Sequence, residues 1–114
     1  MHEVGILNQV LEMAIEAAEQ ECATKIVRLH LLIGELAGVV PEAMAFAFDV
    51  ASAGTMAEGA TFEWDTVKVR CRCSNGCPDF EPDNYVYACP RCGALASELL
   101  AGRELQLVDI DIET

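Results

Sequence analysis

Five of the six cysteines of this 114-residue chain, Cys71, Cys73, Cys77, Cys89 and Cys92, fall within 22 positions. They lie in an insert rich in Gly, Pro, Asn and Asp, CRCSNGCPDFEPDNYVYACPRCG. Its strongest element is Cys89-Pro-Arg-Cys92-Gly93, where a two-residue spacing lets a tight turn aim both sulfurs at one metal. The glycine lets backbone amides approach those sulfurs. The other half offers three thiols. Cys73 and Cys77 are the expected pair, with Asn75-Gly76 supplying the turn that absorbs their three-residue spacing. Cys71 shares a strand face with Cys73 and could substitute, but pairing it with Cys77 leaves a five-residue gap. Two such halves about a dozen residues apart read as a zinc ribbon. Four thiolates leave no position for water, so the zinc is expected to be structural. Cys22, alone at the end of the first helix, is expected to be a small buried apolar residue.

The rest of the chain alternates helical and strand patterns. Leu7, Val10, Leu11, Ala14, Ile15 and Ala18 recur at helical spacing, with Glu12, Glu16, Glu19 and Gln20 pointing outward, so residues 4–22 read as an amphipathic helix. KIVRLHLLI, 25–33, reads as a strand ending at Gly34, and a second helix is expected from Pro41 to about Ala53. The buried side of that helix is expected to draw on Met44, Phe46, Ala47, Phe48 and Val50. Alternation returns over 61–70 and 104–113, with one slip in each. The expected fold is α+β, two helices packed on a three-stranded sheet, with an inserted zinc-ribbon domain. Residues 1–70 with 97–114 form the αβ part of this reading, and 71–96 the ribbon. A ribbon inserted on two connectors leaves room for a homodimer formed by exchange.

Nineteen acidic against seven basic residues give a formal charge of −12. Such a surface repels phosphate backbones and anionic lipid, which argues against nucleic-acid or membrane partners. An apolar share of 53% supports a real core and excludes disorder. The first twenty residues lack a basic start and an apolar run, so no signal peptide is expected and the reading is cytoplasmic. There, clustered cysteines point to metal before disulfides.

The chain begins Met1-His2-Glu3. A histidine at a chain end is usually idle. Yet the α-amine of Met1, the backbone nitrogen of His2 and one imidazole nitrogen can close two chelate rings around one metal. Glu3 can supply a fourth donor. Nitrogen-rich planar sets suit Ni(II) or Cu(II), and the need to deprotonate the donors weakens binding in acid.

Three features together resemble the HypA/HybF family of hydrogenase nickel-incorporation proteins. They are the opening Met1-His2-Glu3, the run IGELAGVVPEAMAFAFDVASAGTMAEGA from Ile33 to Ala60, and the thiol pattern closing on Cys89-Pro-Arg-Cys92-Gly93. Within the run stand Ile33-Gly34, Phe46-Ala47-Phe48 and Gly54-Thr55-Met56-Ala57-Glu58-Gly59, and the resemblance covers essentially the whole chain. It implies an αβ nickel domain bearing the terminus and a zinc ribbon inserted before the last strand. It implies nickel ligation at His2 with help from Glu3 and the Met1 amine. It also implies work with a hydrogenase-maturation GTPase and delivery of nickel to the hydrogenase large-subunit precursor. Family members usually place two residues between the first pair of zinc cysteines; here there are three.

Other residues have blander readings. His30, mid-strand among leucines, is expected to be packed before it is a third nickel ligand. Trp64 is expected in the core or on a sheet face, while Tyr85 and Tyr87 could serve a partner surface. Glu35 and Glu42 flank the turn into the second helix, where helix-start electrostatics accounts for Glu42. No phosphate-binding loop and no nucleophile–base–acid set is present, so no catalytic residue is assigned and no turnover is expected. A rubredoxin-like iron site would leave the long αβ portion unexplained. A nucleic-acid adaptor would need more basic residues than the insert carries.

Overall fold

The computed structural model describes residues 2–83 and 86–114, the side chain of His2 excepted. Helix α1 (His2–Gln20) buries Leu7, Val10, Leu11, Ala14 and Ala18 along one stripe, with Ile15 at its half-buried margin. The helix stops where Cys22 adopts a left-handed conformation (φ 57°). The amide of Ala23 then donates to Ala18 O at 3.0 Å, and that of Cys22 to Glu19 O at 3.0 Å. This is the Schellman arrangement, with a cysteine at the position glycine usually takes. A residue there projects from the helix end toward water. Cys22 is therefore exposed, contrary to the buried role expected from its thiol.

Strand β1 (Lys25–Gly34) is the centre of a three-stranded sheet ordered β2-β1-β5, with β2 spanning Thr61–Val67 and β5 Leu105–Glu113. Arg28 reaches Glu63 and His30 reaches Asp65, so β1 and β2 advance together and run parallel. Thr24 bonds Glu113 while Gly34 bonds Glu104, so β5 runs the other way. The sheet is mixed, and the parallel pair is joined through helix α2 (Pro41–Ala51), as parallel strands require. Proline opens α2, where its missing N–H costs nothing. Met44 and Phe48 are the buried residues of α2, and the Phe48 ring lies 5.2 Å from that of Phe62 on β2. Trp64, half-buried, continues the aromatic row at 6.0 Å from Phe62. Phe46 and Val50, expected as candidates for this buried side, instead stand 73% and 68% exposed. An eleven-residue helix packed along one line has room for the 44/48 pair and leaves 46 and 50 outside it.

The pattern over 61–70 does not continue unbroken. β2 ends at Val67, and a separate strand, β3 (Arg70–Cys73), pairs antiparallel with β4 (Ala96–Ala101). β4 has no counterpart in the sequence reading, since ASELLA carries no alternation.

Contacts divide the chain into two compact units: Met1–Leu32, Gly38–Asp65 and Gln106–Thr114, and Ile33–Ala37 with Thr66–Leu105. In the second unit, Gly34 and Gly102 are required by close approach. A Cβ on Gly34 would overlap the Gly102 carbonyl, and one on Gly102 would lie 2.9 Å from Val69 Cα. Glu35 serves this neighbourhood too, its carboxylate accepting the Val69 amide at 2.7 Å.

Candidate metal centre

The second unit has a small core of Val69, Cys71, Cys73, Phe80 and Cys89, with Leu36, Tyr87 and Leu99 packed against it. Cys71 is fully buried there. Its amide and carbonyl exchange hydrogen bonds with Phe80 at 2.7 and 2.9 Å. That pairing folds the chain back, so the segment between Cys71 and Phe80 becomes a loop with Cys73 and Cys77 at its base. Burial pushes the Cys71 thiol up from its ordinary value, as suits a residue that stays protonated in the core.

Cys73, Cys77, Cys89 and Cys92 come together, with all four sulfurs within 4.8 Å of one another. Cys73 Sγ and Cys92 Sγ are 3.5 Å apart. Sulfurs at the corners of a tetrahedron of ~2.3 Å metal–sulfur bonds are about 3.8 Å apart, so the donor set fits a tetrahedral, thiolate-preferring ion. Cys71 is not among the four.

Two turns of like design hold the sulfurs. In the first, the Asn75 amide donates to Cys73 Sγ at 3.3 Å, and Gly76 takes the left-handed conformation (φ 84°) that carries the chain to Cys77. In the second, the Arg91 amide donates to Cys89 Sγ at 3.4 Å, and the Gly93 amide donates to Cys89 O at 2.8 Å. Backbone donors aimed at sulfur favour the thiolate. The Cys92 thiol accordingly falls to about 7, through the Ala94 amide first and then Cys73 and Asn75. Cys89 is also lowered, chiefly by the Cys92 amide and then that of Arg91. Cys77, hydrogen-bonded first to Cys92 and then to Cys73 and Cys89, is pushed up to about 12 and so keeps its proton. A cation entering the cluster would displace that proton.

The other expected ligands lie in the first unit. Met1 and the imidazole of His2 fall outside the described residues. Glu3 is half-buried in the first turn of α1, and its carboxylate accepts the Val40 amide at 3.4 Å. His30 is half-buried on the sheet face opposite Leu29 and Leu31, engaged by carboxylates and not by leucines. Its Nε2 meets Asp65 at 2.7 Å and its Nδ1 meets Asp109 at 3.5 Å. Asp65 above all, and then Asp109, hold it above the ordinary imidazole value. Arg28 alongside bonds Glu63 at 2.9 Å and Asp109 at 2.8 Å. This polar lattice went unread in the sequence; its signal is the alternation that sets Arg28 and His30 on one face of β1. Tyr87 is half-buried against the cysteine core, and Tyr85 falls outside the described residues. Glu42 is exposed in the first turn of α2.

The family model described as hydrogenase/urease nickel incorporation, metallochaperone, hypA matches residues 1–112. A hydrogenase maturation factor HypA from a Picosynechococcus species is 42% identical over 98% of this chain and 99% of its own. That of Geobacter sulfurreducens is 41% identical over 99% of this chain and 100% of its own. Among solved structures, a solution structure of HypA protein superposes with a TM-score of 0.72 at 23% identity, covering 98% of this chain and 96% of that one. The nickel metallochaperone HypA of Helicobacter pylori gives 0.67 at 20% identity, covering 97% of each. At those identities the structures speak to the fold, and the family rests on the sequence matches. The chain belongs to the HypA family of nickel-incorporation metallochaperones and is a maturation factor, not an enzyme.

Proposed function

We propose that this protein takes up Ni(II) at its amino terminus, through the Met1 amine, His2 and Glu3, and passes it to the precursor of a [NiFe]-hydrogenase large subunit. A hydrogenase-maturation GTPase works with it in the cytoplasm, and Cys73, Cys77, Cys89 and Cys92 hold a structural zinc. The carrying observation for nickel is that α1 begins at His2. The first four amides of a helix have no intrahelical acceptor, so a metal can take backbone nitrogens at residues 2 and 3 without breaking a helical bond. The following turns, buried on Leu7, Val10 and Leu11, give the chelate a fixed base. A terminal site can select nickel by its planar nitrogen donors and surrender it easily, whereas four converging thiolates suit an ion that stays. The zinc supplies a clamp between the two cysteine turns. No helix of the described residues is long and apolar enough to cross a membrane.

Nickel titration by calorimetry tests the terminal site on three proteins: the native untagged chain, His2→Ala, and a chain extended by two residues before Met1. Tight one-to-one binding by the native chain alone supports the reading. Equal binding by all three moves nickel elsewhere and overturns it.

A further inference from the structure

The two cysteine turns differ in two respects. Both use the backbone amide two residues on to bond the sulfur of their first cysteine, from Asn75 to Cys73 and from Arg91 to Cys89. The first turn is one residue longer, and its Asn75 also sends a side-chain amide across the cluster. Asn75 Nδ2 donates to Cys92 Sγ at 3.6 Å, within the range of a hydrogen bond to sulfur. One residue therefore touches a sulfur from each half of the site. Cys92 is the exposed member of the four, while Cys73 and Cys89 are buried and Cys77 is intermediate. An incoming acid or chelator meets Cys92 first, and Asn75 donates to that sulfur.

We propose that Asn75 is a positioning residue that locks the two halves of the site together and slows loss of the metal through Cys92. The proposal rests on the zinc reading above. A donor on a thiolate lowers the charge density of the sulfur, making it less open to protonation while it stays on the metal. Partners of this kind commonly change metal affinity by ~10–100-fold. Position 75 is not among the left-handed residues, so substitution there imposes no backbone strain.

The test compares zinc-loaded parent, Asn75→Ala and Asn75→Asp in transfer of zinc to a chromogenic chelator at neutral pH. Each protein is also reconstituted with Co(II), whose thiolate charge-transfer band reports electron density on sulfur. Loss of the donor should speed zinc transfer about 10-fold in Asn75→Ala. Asn75→Asp should be faster still, because a carboxylate facing the thiolate repels it. The cobalt band should move to lower energy in the same order. Parent-like transfer in Asn75→Ala overturns the proposal. So do equal rates in the two variants with an unmoved band, which would make Asn75 only a turn residue. A parent that retains neither zinc nor cobalt would instead defeat the zinc reading itself.

Discussion

The two units of this chain are stabilised by different means. The first holds thirteen acidic and two basic residues, a net of −11, and the second six and five, a net of −1. The first can carry that charge because it has a continuous apolar interior, from Leu7 and Ala14 on α1 through Leu29 and Leu31 on β1 to Phe48 on α2. The carboxylates of its open sheet face are gathered around Arg28 and His30. In the second unit, three of the five residues of its buried cluster are cysteines. So small a core is marginal without a staple, and the staple is built from the core itself. Acidic charge is thus concentrated on the unit proposed to receive a cation in transit, and thiols on the unit proposed to keep one.

The contrast is broken or sharpened by substitution. Cys89→Ser should have the largest effect. Zinc content measured by mass spectrometry should fall from one per chain to near none, and amide resonances of the second unit should collapse while those of the first persist. Structural zinc sites supply about 10–16 kcal/mol of apparent binding energy, so the loss should be all-or-none. Collapse of both units would show them to be one cooperative structure. Phe48→Ala reverses the test, costing about 3–5 kcal/mol in urea unfolding of the first unit while leaving zinc in place. Loss of zinc from that variant would again argue for a single unit.

The third test is pH. His30 is raised above its unfolded value by Asp65 and Asp109. Its contribution is complete below the unfolded imidazole value of about 6.5 and is lost as pH climbs through the raised one. Asp109 is depressed, chiefly by Arg28, so its share is present above the ordinary carboxylate range and is lost only as pH falls through the lowered value. The urea midpoint of the first unit should therefore decline as pH rises from about 6.5 through the raised value, and His30→Gln should abolish the decline. A decline that survives His30→Gln would place the titrating group elsewhere. The smallest effect belongs to Phe46→Ser, which should change stability by no more than about 0.5 kcal/mol because the ring is already exposed. A larger loss in unfolding would mean that Phe46 is covered in solution.

Sequence pattern told most where one physical requirement acted alone. The stripe of α1 and the first-turn proline of α2 were legible because each follows from local chemistry. β4 was not, because its residues face a two-stranded ribbon and carry no alternation. Phe46 and Val50 looked like core by hydropathy, and only the packing line of a short helix separates them from Met44 and Phe48. In the candidate metal centre, Cys89-Pro-Arg-Cys92-Gly93 was readable as half of the four-thiol cluster. The choice between Cys71 and Cys73 was open because the two share a strand face, and the backbone pairing of Cys71 with Phe80 sets Cys71 back from the turn. That pairing joins residues nine apart, and no local spacing reports it.

The contact of Gly34 with Gly102, and of Gly102 with Val69, has a consequence for how this sequence can diverge. At Gly34 the obstacle to a side chain is another stretch of backbone, so no smaller neighbour can make room for it. Single steps at position 34 are closed, and the way out runs through a shift of the 102 turn, which Leu36 and Gly34 hold by hydrogen bonds to Gly102 and Glu104. Positions 34 and 102 should therefore drift as one, and a homologue with a side chain at 34 should be found to have rebuilt the turn at 102.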